Sequence, residues 1–137
     1  MTLVLALLFA FADVASLKTE PNPEKRSELA LANADQAIAD AHAAYNTGDM
    51  KKTSSDLDEV RESVDVSYDA LEHSGKPARK SKYFKRAEIK IREMIRRLGS
   101  FRDQMSVDDR KPLDAAVARL QEVHDKLLSE IMSKNKR

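Results

Sequence analysis

The strongest pattern along the chain is a stripe of hydrophobic residues in the stretch 83–105. Apolar residues recur there at alternating steps of three and four positions, which is the spacing of one face of an α-helix. The stripe consists of Phe84, Ala87, Ile91, Met94, Leu98, Phe101 and Met105. Lys and Arg occupy many of the other positions. The pattern predicts a helix that buries one seam and exposes a basic surface.

Three other stretches have the same period, so the sequence predicts four long helices. Their expected ranges are residues 23–46, 49–73, 77–105 and 107–133. The stripe of the first helix is Leu31, Ala34, Ile38, Ala41 and Tyr45; that of the second is Leu57, Val60, Val64, Tyr68 (or Ser67) and Leu71; that of the fourth is Leu113, Val117, Leu120, His124, Leu127 and Ile131. We expect these faces to form one core.

Capping residues mark where the predicted helices begin and end. Asn22 followed by Pro23 is typical of a helix start, because Asn accepts backbone N–H bonds and Pro fits the first helical position. Gly48 is expected to end the first helix in the left-handed conformation. After a turn at Gly75, Pro77 is expected to be the first residue of the third helix.

Two residues of types that often interrupt helices, Gly99 and Pro112, lie inside the third and fourth predicted helices. Gly99 is a candidate helix end, but the stripe keeps its phase through it, which favours one helix with a kink at Gly99 and Ser100. Ser106 is expected to cap the fourth helix. Pro112 then lies deep enough to remove a helical hydrogen bond, so we expect a first turn that is offset from the rest.

The predicted fold is an all-α, up-down-up-down antiparallel four-helix bundle of long helices. The chain has only three Gly and four Pro, and no stretch has the period of two that marks strands. Short links between long helices favour antiparallel neighbours. The alternative is an array of helical hairpins, but a tetratricopeptide repeat spans about 34 residues. The second predicted helix is too long for that repeat, and no second copy appears.

The N-terminal segment 1–16 is similar to a secretory signal peptide. Residues 3–11 are apolar, and the small residues Val14, Ala15 and Ser16 have the spacing of a cleavage site. The run is too short for a membrane span, which needs about 20 residues. No Lys or Arg precedes it, and the alternative is an apolar helix that stays with the fold. We expect a secreted or periplasmic protein whose mature form is one domain, residues 17–137, without a stable membrane span.

Charge is distributed unevenly, although the net charge is only +1. The second predicted helix has eight acidic and three basic residues, whereas the stretch 76–105 has eleven basic and three acidic residues. One interpretation is that the two helices lie side by side and neutralise each other, with each surface pair contributing about 0–1 kcal/mol. The other is that the basic face binds an anionic partner.

The basic residues are densest at the start of the third predicted helix. This candidate binding patch consists of Lys76, Arg79, Lys80, Lys82, Lys85 and Arg86. A helix N-terminus there would add positive potential and unpaired N–H groups. Its expected partner is a protein or an anionic surface. Nucleic acid is disfavoured, because an exported protein seldom meets it and only Tyr83 and Phe84 interleave the bases.

His124 is the one ionisable residue on a predicted core stripe, and bundles build metal and haem sites from such positions. A di-metal site needs Glu-x-x-His pairs, which are missing, because Glu122 is only two residues away. A histidine at the core edge, bonded to a carbonyl or water, is the simpler interpretation. His42 on the first helix could approach the fourth helix.

No catalytic motif stands out. The chain has no Cys, which excludes disulfides, thiol catalysis and covalent haem attachment through cysteine. No catalytic grouping or phosphate loop is present. We therefore expect no enzymatic activity and no cofactor, and a non-catalytic interaction or structural module with a basic face on the third helix. A haem- or metal-binding bundle that uses His124 is the alternative.

The first prediction concerns export. If residues 1–16 are a signal peptide, protein purified from its native host should begin at Leu17, because signal peptidase cuts after small residues at this spacing. N-terminal sequencing measures this directly. Recovery of intact protein that begins at Met1 would contradict it.

Overall fold

The computed structural model describes residues 14–133, and 82% of them are helical, with no strand among them. The elements are α1 (Val14–Leu17), α2 (Pro23–Asn46), α3 (Met50–Glu72), α4 (Lys82–Gln104), a 3₁₀ turn (Val107–Asp109) and α5 (Lys111–Met132). The prediction of an all-α bundle with four long helices is confirmed. The predicted signal peptide lies largely outside the described residues. Within residues 14–133, no helix combines the length and hydropathy that crossing a membrane requires.

The predicted ends of α2 are confirmed. The Asn22 side chain accepts hydrogen bonds from the backbone N–H groups of Glu24 and Lys25, and Pro23 occupies the first helical position. Gly48, just beyond α2, has a φ of 81°, a conformation that costs glycine little because it has no Cβ. The chain therefore turns directly from α2 into α3.

The predicted start of the third helix at Pro77 is wrong, because α4 begins at Lys82. The backbone N–H groups of Lys80 and Ser81 both bond to the carbonyl of Pro77 and close a separate turn. The Ser81 hydroxyl then caps α4 by accepting from Tyr83 and Phe84. A side-chain cap marks the true helix start here, whereas proline only opens the preceding turn.

The fourth helix also begins later than predicted, at Lys111. Ser106 makes no capping hydrogen bond with its side chain, and Val107–Asp109 forms the 3₁₀ turn instead. Pro112 thus lies in the first turn of α5, where its missing N–H has no helical partner to lose. The expected offset turn before the helix is present. Gly99 lies inside α4, which is continuous.

The core is built from the predicted stripes, with one adjustment on α5. Every residue of the α4 stripe is buried, as are the aliphatic residues predicted for α2 and α3. On α5, Ala116 and Val123 are fully buried, whereas Val117 and His124 are only partly buried. Helix α5 packs against α3 on one side and α4 on the other. Its buried face is therefore rotated from the predicted one towards Ala116 and Val123.

Helices α2 and α3 are antiparallel neighbours. The hydroxyl groups of Ser27 and Ser67 are 2.8 Å apart in the buried interface. Further along α2, the Asn33 amide donates to the hydroxyl of Ser63, at 2.9 Å. The residue number of the contacting residue on α3 falls as that on α2 rises, so the two helices run in opposite directions.

Helices α2 and α4, in contrast, are parallel neighbours. Arg86 pairs with Glu28 at 2.7 Å, and Arg97 pairs with Asp35 at 2.8 Å, so the residue numbers rise together. Helices α3 and α5 are also parallel neighbours, through the Arg119–Asp65 pair and the Tyr68–Glu130 hydrogen bond.

The prediction that the acidic and basic helices lie side by side is wrong. Helices α3 and α4 touch only sparsely and lie on a diagonal of the bundle. Neighbouring helix axes are about 8–10 Å apart, so the diagonal of a square bundle is about 14 Å. The nine-residue link 73–81 can span that distance easily, since an extended residue covers about 3.3 Å or more.

The short helix α1 packs on α2 and α3. Leu17 is only 4% exposed and lies with Ala30 and Val66 in a small apolar cluster, against which Val14 packs. The predicted cleavage point after Ser16 falls within α1. Leu17, the first residue expected after cleavage, is thus an anchoring residue of the bundle.

The second prediction concerns the core. Leu98 and Leu120 are completely buried, so Leu98→Ala or Leu120→Ala should each lower the free energy of unfolding by about 2–5 kcal/mol through lost burial and a residual cavity. Leu29→Ala is the matched control, because Leu29 is 40% exposed. Urea denaturation of the three variants measures the difference. Similar midpoints for all three would show that the core is misassigned.

Candidate anion-binding surface

The six basic residues of the candidate patch are all exposed at one end of the bundle. Lys76, Arg79 and Lys80 lie in the link before α4, and the others lie in its first two turns. Because α2 and α4 are parallel, the N-terminus of α2 is at the same end. The N-termini of α2 and α4 add positive potential there, and the C-termini of α3 and α5, which lie at the same end, offset part of it.

Two of the six residues form ion pairs with α2. The Lys76 ammonium is 3.1 Å from Glu24, and the Arg86 guanidinium is 2.7 Å from Glu28. Both carboxylates lie in the first two turns of α2. The structure thus divides the patch, because these two cations are neutralised by a helix that sequence reasoning did not place beside them.

The remaining four cations, Arg79, Lys80, Lys82 and Lys85, form the unpaired cationic cluster. Within residues 14–133, none of them has a carboxylate oxygen within 4.0 Å. Lys82 and Arg86 lie over the ring of the half-buried Tyr83, at 5.3 and 5.6 Å from its centroid. The cluster is therefore available to an external anion.

Two of the backbone N–H groups at the start of α4 are bound by a side chain of the protein, where unpaired N–H groups were predicted. The N–H groups of Tyr83 and Phe84 donate to the Ser81 hydroxyl, at 3.2 and 3.5 Å. An anion at this end would therefore be held by flexible side chains over a positive helix terminus. Such a surface attracts diffuse negative charge and does not define one bound geometry.

Most other cations of α4 are paired, and the predicted neutralisation by α3 is wrong. Lys90 and Arg97 both pair with Asp35 of α2, whereas Arg102 pairs with Asp114 of α5 at 2.6 Å. The acidic helix α3 pairs instead with α5, through Asp65. Sequence reasoning missed the α2 partners Glu28 and Asp35, because it placed the acidic helix α3 beside α4.

His124 binds a carboxylate on α4, where sequence reasoning expected a carbonyl or water. Its Nε2 is 2.7 Å from Glu88, and the His124 side chain is 12% exposed. Glu88 also accepts two hydrogen bonds from Arg92, at 2.8 and 3.1 Å. Arg92 chiefly, and His124 in addition, hold the pKa of Glu88 below its usual value. The buried Nδ1 of His124 has no hydrogen-bond partner among the described residues.

The other histidines lie away from His124. His42 contacts α4 and not α5: its Nε2 is 2.8 Å from the Gln104 amide oxygen, and its ring packs on Phe101. His73, just after α3, contacts the carbonyl of Asp69. Over residues 14–133, no three His, Asp or Glu side chains are placed to hold a metal ion together.

Comparison with known proteins adds no family to this picture. No protein-family model matches the chain, and no curated protein or solved structure is significantly similar to it. The fold and the charge geometry therefore carry the functional argument.

The third prediction concerns the contact between α4 and α5. Because the folded-state pKa of Glu88 is lowered, the ionised carboxylate stabilises the fold above its ordinary pKa of about 4.3. That stabilisation is lost as the pH falls from about 5 towards 2. Glu88→Gln should therefore lower the free energy of unfolding by about 1–3 kcal/mol at neutral pH and by much less in acid.

Urea denaturation at neutral and acidic pH measures this dependence. Glu93→Gln is the matched control, because Glu93 is exposed on the same helix and has no ion pair among the described residues. An equal effect of Glu88→Gln at both pH values would show that the charge of Glu88 does not stabilise the fold.

Proposed function

We propose that the chain is an exported, non-catalytic interaction module whose unpaired cationic cluster binds an anionic partner. The single observation that carries this proposal is the contrast within α4. Most of the cations further along the helix are paired with α2, α5 or α4 itself, whereas Arg79, Lys80, Lys82 and Lys85 are exposed and without a carboxylate among residues 14–133. If the cations of this region served only to pair with carboxylates of the bundle, we would expect these four to be paired as well.

The arrangement of the helices supports the proposal. The order of the inter-helix pairs supports an up-down-up-down chain path with a diagonal link, which places the N-termini of α2 and α4 and the C-terminus of α5 at one end. The cationic cluster therefore lies at the end where α2 and α4 begin.

Export is proposed from the sequence of residues 1–16, with Leu17 as the first residue of the mature protein. Cleavage after Ser16 would leave this buried anchor, and all four long helices, in the mature protein. The protein would then be secreted or periplasmic, where surfaces with negative charge are available as partners.

The alternative function is a haem- or metal-binding bundle that uses His124. One observation favours it: Nδ1 has no hydrogen-bond partner among residues 14–133, while Nε2 contacts a carboxylate. Metal-ligating histidines commonly have such a carboxylate on their second nitrogen. Among the described residues, however, no group of three or more His, Asp or Glu side chains is placed to hold a metal ion. Visible absorption and metal analysis of the purified protein test this alternative.

The fourth prediction concerns the cationic cluster. The triple variant Lys80→Gln, Lys82→Gln and Lys85→Gln should weaken binding to poly-L-glutamate by about tenfold or more. The remaining binding should depend less on salt, since fewer charges are screened. The free energy of unfolding should change by about 1 kcal/mol or less, because all three side chains are exposed. Titration at several salt concentrations measures the binding.

The matched control removes the same charge elsewhere. Lys51, Arg96 and Lys111 are exposed, have no ion pair among the described residues and lie away from the cluster. Their replacement by Gln should leave most of the binding intact. If the two triple variants bind poly-L-glutamate equally well, net charge alone explains the binding and the proposed function is wrong.

A further inference from the structure

We infer that the anionic partner of the cationic cluster is a lipid surface, on which the bundle lies with its α4–α5 edge. The inference rests on the proposed function and deepens it. Two exposed apolar residues of α5, Leu128 and Met132, lie beside the cations of α4. We call this pair the apolar edge.

The contact between His124 and Glu88 fixes where the apolar edge lies relative to the cluster. Helices α4 and α5 are antiparallel, as the His124–Glu88 and Arg102–Asp114 pairs show. Leu128 is one turn beyond His124, and Lys85 is one turn before Glu88. Both steps lead towards the same end of the bundle, so Leu128 and Lys85 lie at the same level on adjoining helices.

The apolar edge is exposed, whereas the core-facing residues of α5 are buried. Leu128 is 38% exposed and Met132 is 68% exposed, whereas Leu127 and Val123 are fully buried. The spacing of four from His124 to Leu128 and Met132 places all three on one flank of the helix. This flank is the one that faces α4, and it continues past His124 to the end of α5.

Cations next to exposed aliphatic side chains fit a lipid surface better than an acidic protein. Lys and Arg attract anionic head groups, at about 1 kcal/mol for each residue near the surface. Leucine and methionine gain free energy only when the partner also offers an apolar layer, as the boundary between head groups and acyl chains does.

Tyr83 adds an amphipathic ring at the same end, near Lys82 and Arg86. Such rings are favoured where one side is apolar and the other is wet. Since no helix within residues 14–133 can span a membrane, the bundle would bind at the surface of the bilayer.

The test compares two probes and two sets of substitutions in the full chain. The probes are vesicles of equal parts phosphatidylglycerol and phosphatidylcholine, and poly-L-glutamate, which has charge without an apolar layer. Leu128→Gln combined with Met132→Gln should weaken vesicle binding by about tenfold or more and leave binding to poly-L-glutamate unchanged. The triple lysine variant should weaken vesicle binding on the order of 100-fold and weaken binding to both probes.

Two controls keep the comparison specific. Val107→Gln removes a side chain that is 74% exposed at the other end of the bundle, and it should change binding to neither probe. Vesicles of phosphatidylcholine alone measure any binding through residues 3–11, which all variants share. Circular dichroism and urea denaturation establish that each variant is folded.

The outcomes separate this inference from the proposed function. If the double apolar variant binds anionic vesicles as well as the parent, the lipid inference is wrong, while weakened binding of the lysine variant still supports an anionic partner. If the parent binds poly-L-glutamate but not anionic vesicles, the partner is an acidic macromolecule and the lipid inference fails. If the lysine variant matches the parent on both probes, the proposed function fails as well.

Discussion

The diagonal link 73–81 is the constraint on which the arrangement of the bundle depends. It carries the chain from the end of α3 across the bundle, so that α4 packs beside α2 and α5 and touches α3 only sparsely. Two parallel helix pairs result, α2 with α4 and α3 with α5. The basic helix α4 then meets carboxylates of α2, and Asp65 of the acidic helix α3 meets Arg119 of α5. The link also brings Lys76, Arg79 and Lys80 to the end where α2 begins.

This arrangement decides which charges are neutralised. Glu28 of α2 meets the second turn of α4, Asp35 meets its middle, and Asp114 of α5 meets its C-terminal part. At the end where α4 begins, Lys76 and Arg86 pair with Glu24 and Glu28, and the other four cations have no carboxylate within 4.0 Å among residues 14–133. The uneven pairing therefore leaves an excess of positive side chains where α4 begins, although the chain as a whole is nearly neutral.

Much of the fold could be predicted from the sequence, because periodicity reports the buried face of each helix directly. The stripes of α2, α3 and α4, the Asn22 cap and the turn at Gly48 all follow from local rules. The start of α4 could not be predicted from Pro77, since proline fits a turn and a helix start equally well, and the Ser81 hydroxyl decides between them. Helix neighbours depend on the path of the link, which has no local signature. The apolar edge could not be predicted either. In the sequence Leu128 lies beside the core stripe of α5, and its exposure depends on which helices pack against α5.

The charges on the surface of this bundle contribute little to its free energy of unfolding. Exposed ion pairs contribute about 0–1 kcal/mol each, whereas a buried leucine such as Leu98 contributes several times as much. Like charges in the cluster repel each other weakly in water, so the cluster costs the fold little and contributes nothing to it. Folding therefore does not account for four adjacent unpaired cations beside two exposed apolar side chains. A surface of that composition gains free energy when it meets negative charge and an apolar layer together, and this is the physical basis of the proposed binding to a lipid bilayer.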